Sequence, residues 1–361
     1  MIRAIGMLLA LLALLAPFAT IAMAAPAVDY PVVKPGLHLR FPADHGAHPA
    51  FRTEWWYVTG WLKAEDGRAF GFQVTFFRSR PRVDPANPSR FAARQILFAH
   101  AALSDPKLGR LLHGERAARA GFGLAAAATG DADIRIRDWR LRRLPDGRFA
   151  TRVQADGFAL DLAFRPTQQP MAQGENGYSR KGPNPGQASY YYSIPHLAVA
   201  GTVLRGNMPV RVTGEAWLDR EWSSDYLAPD AAGWDWTGLN LDDGSALMAF
   251  RIRRKGGGVL WAGGSLRRPD GRIVRFAPVD ISFRPRRTWK SAATGAVYPV
   301  EQLLSVRLPE GVRRFPLVPL FAAQELDGRR TGLPVYWEGA VRTGGGRGYL
   351  ELTGYAAPLR M

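Results

Sequence analysis

Six Asp-Gly dipeptides punctuate this chain: Asp66-Gly67, Asp146-Gly147, Asp156-Gly157, Asp243-Gly244, Asp270-Gly271 and Asp327-Gly328. Glycine accepts a positive φ at little cost, so Asp-Gly between apolar runs is a strong hairpin signal. The runs between them are short, often alternating, and rich in β-branched or aromatic residues. They are Phe70 to Phe77, Asp133 to Leu141, Phe158 to Phe164, Met208 to Trp217, Ala246 to Ile252 and Val259 to Leu266. Helical periodicity is nearly absent. Many short strands joined by hairpins predict an all-β chain built as antiparallel barrels or sandwiches.

An internal duplication is visible. Tyr57-Val58-Thr59-Gly60, Asp66-Gly67 and Phe70 to Arg78 parallel Trp236-Thr237-Gly238, Asp243-Gly244 and Leu247 to Arg253. Further on, Ala200-Gly201-Thr202-Val203 followed by Gly214 resembles Glu338-Gly339-Ala340-Val341 followed by Gly354. Two matched ends in the same order predict two β-barrel domains related by duplication, over residues 25–230 and 231–361. The polar, Gly/Pro/Asn/Gln-rich stretch from Pro166 to Ala188 reads as a long loop of the first, either a connection or a lid.

Residues 1–24 have the layout of a secretory signal peptide: Arg3, an apolar run from Met7 to Ala16, then Ala22-Met23-Ala24 as a small-residue cleavage site. The expectation is a chain exported to the periplasm or beyond. There is no cysteine, which excludes disulfides, thiolate catalysis and Cys-ligated zinc. Formal charge is +17, from 48 basic and 31 acidic residues. In an exported chain that favours an anionic membrane surface over nucleic acid as a partner, or simply arginines on a solvated surface.

Chemistry points first to Thr53-Glu54-Trp55-Trp56-Tyr57, where a carboxylate sits among three aromatic rings at a strand start. A carboxylate beside large apolar surfaces loses solvation, which raises its pKa or forces it to find a partner. Trp234-Asp235-Trp236 repeats the pattern. Asp219, Glu221 and Trp222 form a third such group. On the strand carrying Tyr190, Tyr191 and Tyr192, the first and third hydroxyls point one way and the second the other. His100 and His196 are candidate proton relays. Each residue also has a plain reading as a barrel-core aromatic or an arginine-paired acid. No G-x-S-x-G elbow occurs, and Gly344-Gly345-Gly346 lies between strands as a turn and not as a phosphate loop.

These residues resemble a known family. His45-Gly46-Ala47-His48-Pro49 leading into Arg52 to Gly60, Phe98 to Leu103, Tyr191 to Leu197, Gly214 to Trp222 and Gly233 to Trp236 are similar to the blocks of AttH-like secreted proteins. These are relatives of the carotenoid 1,2-hydratases. Glu221-Trp222-Ser223 stands where the hydratases carry Asn-x-Gly, so the match is to the AttH-like branch. The resemblance implies two tandem lipocalin-like barrels, an apolar lipid or isoprenoid ligand and no cofactor. It also implies, in some members, hydration of an isoprenoid double bond, and an association with ABC-type transport systems. His45 and His48 could suggest a metal with His38, but their spacing lacks a clear carboxylate or strand context, so no metal is expected.

Two readings follow. One is an envelope protein that binds an apolar small molecule or lipid in the service of a transporter. The other is a cofactor-free hydratase-like or isomerase-like enzyme with Glu54, His196 and Asp219 as catalytic groups. In either, Trp55, Trp56, Tyr57, His100, Tyr190, Tyr192, Glu221, Trp222, Trp234, Asp235 and Trp236 are expected to touch the ligand. Convergence of at least two polar groups on one cavity separates catalysis from binding, which needs only an apolar wall.

Overall fold

Five of the six Asp-Gly pairs are the turns of antiparallel hairpins, with glycine φ between 82° and 86°. The sixth is different. Gly328 follows a three-residue strand and enters a short 3-10 turn, so no hairpin forms there. The computed structural model describes residues 28–206, 208–331 and 333–359. The secretory leader read in residues 1–24 lies outside them.

Helix is confined to three short 3-10 turns among the described residues, and the strands form two antiparallel sheets with one topology. Across the first sheet the strands run Arg110–Arg119, Ile96–Asp105, Ala69–Ser79, Thr53–Ala64, Met208–Asp225, Ala188–Arg205, Phe158–Pro166, Phe149–Ala155 and Trp139–Arg143, with short strands beyond. Across the second they run Ile273–Phe276, Val259–Arg267, Ala246–Arg254, Ala231–Leu241, Gly346–Thr353, Val335–Thr343, Gly311–Pro319, Val297–Leu308 and Ile281–Lys290. The two orders correspond strand for strand, which is the lipocalin-like duplication. In each, a strand from early in the repeat pairs with the repeat's last strand.

The residue-level match is shifted by one position. A Cβ on Gly60 would meet Phe72 and Ala216 inside the first sheet, whereas one on Gly238 would meet Trp217 and Trp236 between the sheets. Strand side chains alternate faces, so an even offset of 178 places equivalent strands with opposite faces matched. The rings that meet are Trp55 with Trp234 and Tyr57 with Trp236.

Each sheet curls around its own core. Trp56, Val58, Phe72, Phe76, Leu218 and Trp222 belong to the first, and Leu239, Leu304, Trp337 and Leu350 to the second. The convex faces of the two sheets then pack against one another through Tyr57, Trp61, Tyr191, Trp217, Trp236, Met248, Phe250 and Tyr349. The sheets approach closely at Gly71, where a Cβ would stand 2.6 Å from that of Ala340. Trp61 Nε1 donates to the carbonyl of Gly348 at 3.0 Å across the same seam. The central strands are therefore buried on both faces.

The stretch from Pro166 to Ala188 is neither a free connection nor a lid. Met171–Ala172 and Tyr178–Arg180 pair with the strand Ala188–Arg205. Gln173 donates to Ser193 at 2.9 Å and accepts from Ser265 of the second sheet at 2.7 Å. The segment straps the sheets together.

Candidate active site

The cavity that gathers the aromatic and acidic side chains lies in the seam and not inside either barrel. It measures about 380 Å³ and is lined by Trp55, Tyr57, Phe77, Phe98, His100, Lys181, Asp219, Glu221, Tyr226, Trp234, Trp236, Phe250, Tyr336, Glu338 and Glu351 among others. That volume suits one small organic molecule. Arg52, Thr53, Ser79, Ser224, Leu333, Pro334 and Leu359 stand at its partly exposed end. Tyr57, His100, Asp219, Tyr336 and Glu338 are buried in its depth.

Strand alternation decides which side chains reach it. On Thr53–Ala64 the odd positions Trp55 and Tyr57 face the seam. Across from them on Met208–Asp225 stand Glu221 and Asp219, because Trp55 pairs with Glu221 and Tyr57 with Asp219. On the neighbouring strand Tyr191 pairs with Glu221 and Ser193 with Asp219. The second sheet contributes Trp234, Trp236, Tyr336, Glu338 and Glu351 by the same rule, with Glu338 directly opposite Glu351.

Asp219 is the best-held acid. Tyr191 Oη donates to Oδ2 at 2.7 Å, while Ser193 Oγ and Trp217 Nε1 donate to Oδ1 at 2.5 and 2.7 Å. Trp236 Nε1 in turn donates to Tyr191 Oη at 3.0 Å. Burial still prevails over these hydrogen bonds and pushes the carboxyl up to about 7, with the Glu221 charge adding to the rise. Glu221 is paired with Lys181 at 2.9 Å, and that ammonium lies 4.3 Å from the Phe250 ring centre and 4.7 Å from that of Tyr191.

The Glu338–Glu351 pair is the more unusual arrangement. Two carboxyls opposite one another on adjacent strands cannot both ionise cheaply away from water. Burial, then the neighbouring Glu351, raises Glu338 well above the ordinary carboxylate range. Glu351 Oε2 accepts from Trp234 Nε1 at 2.9 Å, and burial pushes its carboxyl up to about 7. Part of Glu351 is open to the cavity although the group lies deep in the protein. Glu338 Oε1 and Tyr57 Oη are buried near one another, and neither makes a hydrogen bond of good geometry. His100 Nδ1 meets Tyr336 Oη at 2.7 Å, its Nε2 is unpartnered, and burial lowers its pKa to about 3, so the ring is neutral.

The raised Asp219 carboxyl carries a stability signature. The unfolded chain loses this proton near pH 4, whereas the folded chain holds it to about pH 7, so the contribution of the protonated form fades as pH rises through that window. Asp219→Asn cannot ionise. Its urea midpoint should fall less between pH 4 and 7 than that of the parent. Equal slopes would show that the carboxyl titrates normally.

Of the three residues expected to be catalytic, only Asp219 reaches the cavity. Glu54 is on the opposite face of its strand, where Arg78 and Arg220 both pair with it and the His48 backbone N–H donates at 2.9 Å. Those cations depress its pKa below the ordinary range despite complete burial. His196 sits at a bulge with φ 52°, where Nδ1 meets Glu215 at 2.6 Å and Nε2 meets the Ser245 carbonyl at 2.9 Å. It braces the two sheets, away from the cavity.

Among the expected ligand contacts, Trp55, Tyr57, His100, Glu221, Trp234 and Trp236 line the cavity. Trp56, Tyr192 and Trp222 point into the first core instead. Trp56 donates to the His45 carbonyl, Tyr192 meets His45 at 2.7 Å, and Trp222 stacks on His48 at 3.9 Å. Tyr190 Oη reaches the Lys34 carbonyl at 3.1 Å. Asp235, between two cavity tryptophans, faces the second core and pairs with Arg251 and Arg253. The seam-facing tyrosine of the triplet is Tyr191. Lys181, Tyr226, Tyr336, Glu338 and Glu351 are site residues that the sequence reading did not name. Tyr336-Trp337-Glu338 carries the same aromatic-plus-acid signature as Glu54-Trp55-Trp56 and was available as a signal.

Fold and site together define a two-sheet lipocalin-like protein with an acidic, aromatic-walled cavity at the seam. The chain belongs to the AttH-like family, whose profile matches residues 32–355. It is similar to a crystallised AttH protein of Nitrosomonas europaea, with 52% identity, TM-score 0.84, and coverage of 90% of this chain and 99% of that one. Kievitone hydratase from Nectria haematococca shares the fold at 13% identity and TM-score 0.65, over 91% of this chain and 96% of its own. CghA crystallised with Sch210972 does so at 16% identity and TM-score 0.53, over 85% and 89%. No curated protein matches the chain.

Proposed function

We propose that this protein is a cofactor-free acid–base enzyme that adds water to, or moves, a carbon–carbon double bond in an apolar small molecule bound at the seam. The observation that carries the reading is convergence: Asp219, Glu338 and Glu351 surround one aromatic-walled cavity, and burial shifts all three carboxyls upward. Glu338, neutral at physiological pH, is the acid. Its proton goes to one alkene carbon as the π electrons form the new C–H bond, which leaves a cation on the other carbon. The tryptophan faces stabilise that charge. Ionised Glu351 or Asp219 then accepts a proton from water as its oxygen attacks the cation, giving an alcohol. For isomerisation the same base removes a proton from the adjacent carbon, giving the shifted alkene. The proton held by that base then passes back to Glu338, which restores the starting state.

The shared fold with a protein named a hydratase supports the class of reaction and not the substrate. A carrier role, for lipid transport at the envelope, needs only the apolar wall and leaves the three raised acids without a task. The test is incubation with a panel of unsaturated terpenoids and lipids in D₂O containing H₂¹⁸O, read by mass spectrometry. Deuterium on carbon, with ¹⁸O for hydration, is the expected result. Stoichiometric binding across the panel with no isotope incorporated would replace the enzyme with a carrier.

A further inference from the structure

We infer that the mouth of the cavity docks on an anionic phospholipid bilayer through a pair of exposed phenylalanines set in a collar of arginines. This goes beyond the reaction proposed above and does not depend on it. Phe91 and Phe122 are 78% and 55% exposed, and their rings stack on one another 5.6 Å apart at an angle of 6°. Apolar rings stacked in water instead of against the body of the protein are an unusual use of large hydrophobic side chains.

The stack is built and held. Arg119 reaches from its strand to the carbonyls of Arg90 and Ala92, each at 3.1 Å, and its guanidinium lies 4.6 Å from the Phe122 ring centre. Arg94 fixes the loop carrying Phe91 through the carbonyls of Pro85 and Asn87. Phe122 also adopts φ 53°. A bulky side chain in the left-handed region is a conformational outlier, which glycine or asparagine would relieve. The fold therefore tolerates strain to display this ring.

Position and charge identify the occupant. Ser223, Thr53, Ser79, Ile96 and Arg119 form one row across the first sheet. Thr53 and Ser79 line the open end of the cavity, and the loop bearing Phe91 leaves the sheet between Ser79 and Ile96. With neighbouring strands about 4.8 Å apart, the row brings the Arg119 end within roughly 10 Å of the mouth. Residues 80–95 hold four arginines against one aspartate, in a chain of net charge +17. Basic side chains around protruding rings match an anionic headgroup layer over acyl chains. An apolar molecule leaving that bilayer would meet the mouth directly.

The experiment uses the full chain with vesicles of phosphatidylglycerol and phosphatidylcholine, against vesicles of phosphatidylcholine alone. Binding to the anionic vesicles should slow hydrogen exchange in residues 81–95 and 119–124. Raising salt from about 0.1 M to about 1 M, which cuts the screening length from about 10 Å to about 3 Å, should release that protection. The double variant Phe91→Ser with Phe122→Asn should bind about tenfold or more weakly, since two rings no longer enter the acyl region. Arg90→Ala should weaken binding several-fold while keeping the preference for anionic vesicles. Protection elsewhere with these segments unchanged, or a double variant that binds like the parent, overturns the inference. So does a concentration-dependent dimer abolished by the double variant without any vesicle binding, which would make the patch a protein interface.

Discussion

Replacing Glu54 by alanine is expected to lower the unfolding free energy by about 3–5 kcal/mol, because it leaves two buried guanidiniums without their shared anion. Arg78 and Arg220 are both buried, and both pair with this one carboxylate. Arg220 also lies 3.9 Å from the centre of the Trp56 ring and donates to the Gly46 carbonyl at 2.6 Å, so it ties the segment before the first strand to the core. Arg78 does the same through the carbonyls of His48 and Phe51. Nothing in this cluster reaches the cavity. The stabilisation comes from a depressed pKa, so it is present above the carboxyl's ordinary value of 4.5 and is lost as pH falls below it. Urea unfolding followed by tryptophan fluorescence measures the loss, with Asp66→Asn in an exposed turn as a control that should change little. A Glu54→Ala protein as stable as its parent but without turnover would return Glu54 to the catalytic set.

The contrast between Glu54 and Asp219 shows what the sequence can and cannot disclose. Hairpins were legible because an Asp-Gly turn is a local matter of φ, and five of six formed as read. Strand type was legible from β-branched and aromatic content. Facing was not. A strand with one wet face announces its orientation by polar alternation, but Thr53–Ala64 is buried almost throughout, one side in the first core and the other in the seam. Glu54 and Asp219 then look alike, an acid beside tryptophan, and only the packing of a second sheet distinguishes the arginine-lined side from the hollow one. The same ambiguity exchanged Tyr191 for its neighbours Tyr190 and Tyr192.

The residues missed in the second sheet have a different cause. Glu338 was noticed only as a landmark of the repeat, aligned with Ala200, and Glu351 not at all. A duplicated fold places equivalent strands on either side of the seam, so each acid-bearing strand of one repeat has a partner in the other. Following Tyr57 to a seam-facing counterpart such as Trp236 requires an odd offset, which the even Gly60–Gly238 match does not give, whereas Asp219 to Glu351 is an even step. Lys181 is hidden for another reason: a polar, turn-rich segment reads as a loop, and its pairing with the strand Ala188–Arg205 is a long-range event with little local trace.

Glu338→Gln should lower deuterium incorporation into a substrate by about 10²–10⁴-fold, the usual worth of a positioned general acid, while leaving the fold at least as stable as before. The second half of that expectation makes the test informative. Burial holds Glu338 neutral, so an amide of nearly the same shape replaces an uncharged acid, and no buried charge is created or orphaned. Above about pH 4.5 the variant should gain on the parent, because the unfolded chain then releases the Glu338 proton while the folded chain holds it, so the parent weakens as pH climbs toward the raised folded pKa and the amide does not. The substituted amide keeps the size and an acceptor oxygen of the acid, but it has no acidic proton to give to carbon. Asp219→Asn separates the roles further. Asp219 is already held by Tyr191, Ser193 and Trp217, so its loss should leave substrate binding intact and slow the water-dependent product more than the proton transfer itself. A Glu338→Gln protein that keeps half of the parent's isotope incorporation removes Glu338 as the acid, and the proton must then come from Asp219 or Glu351.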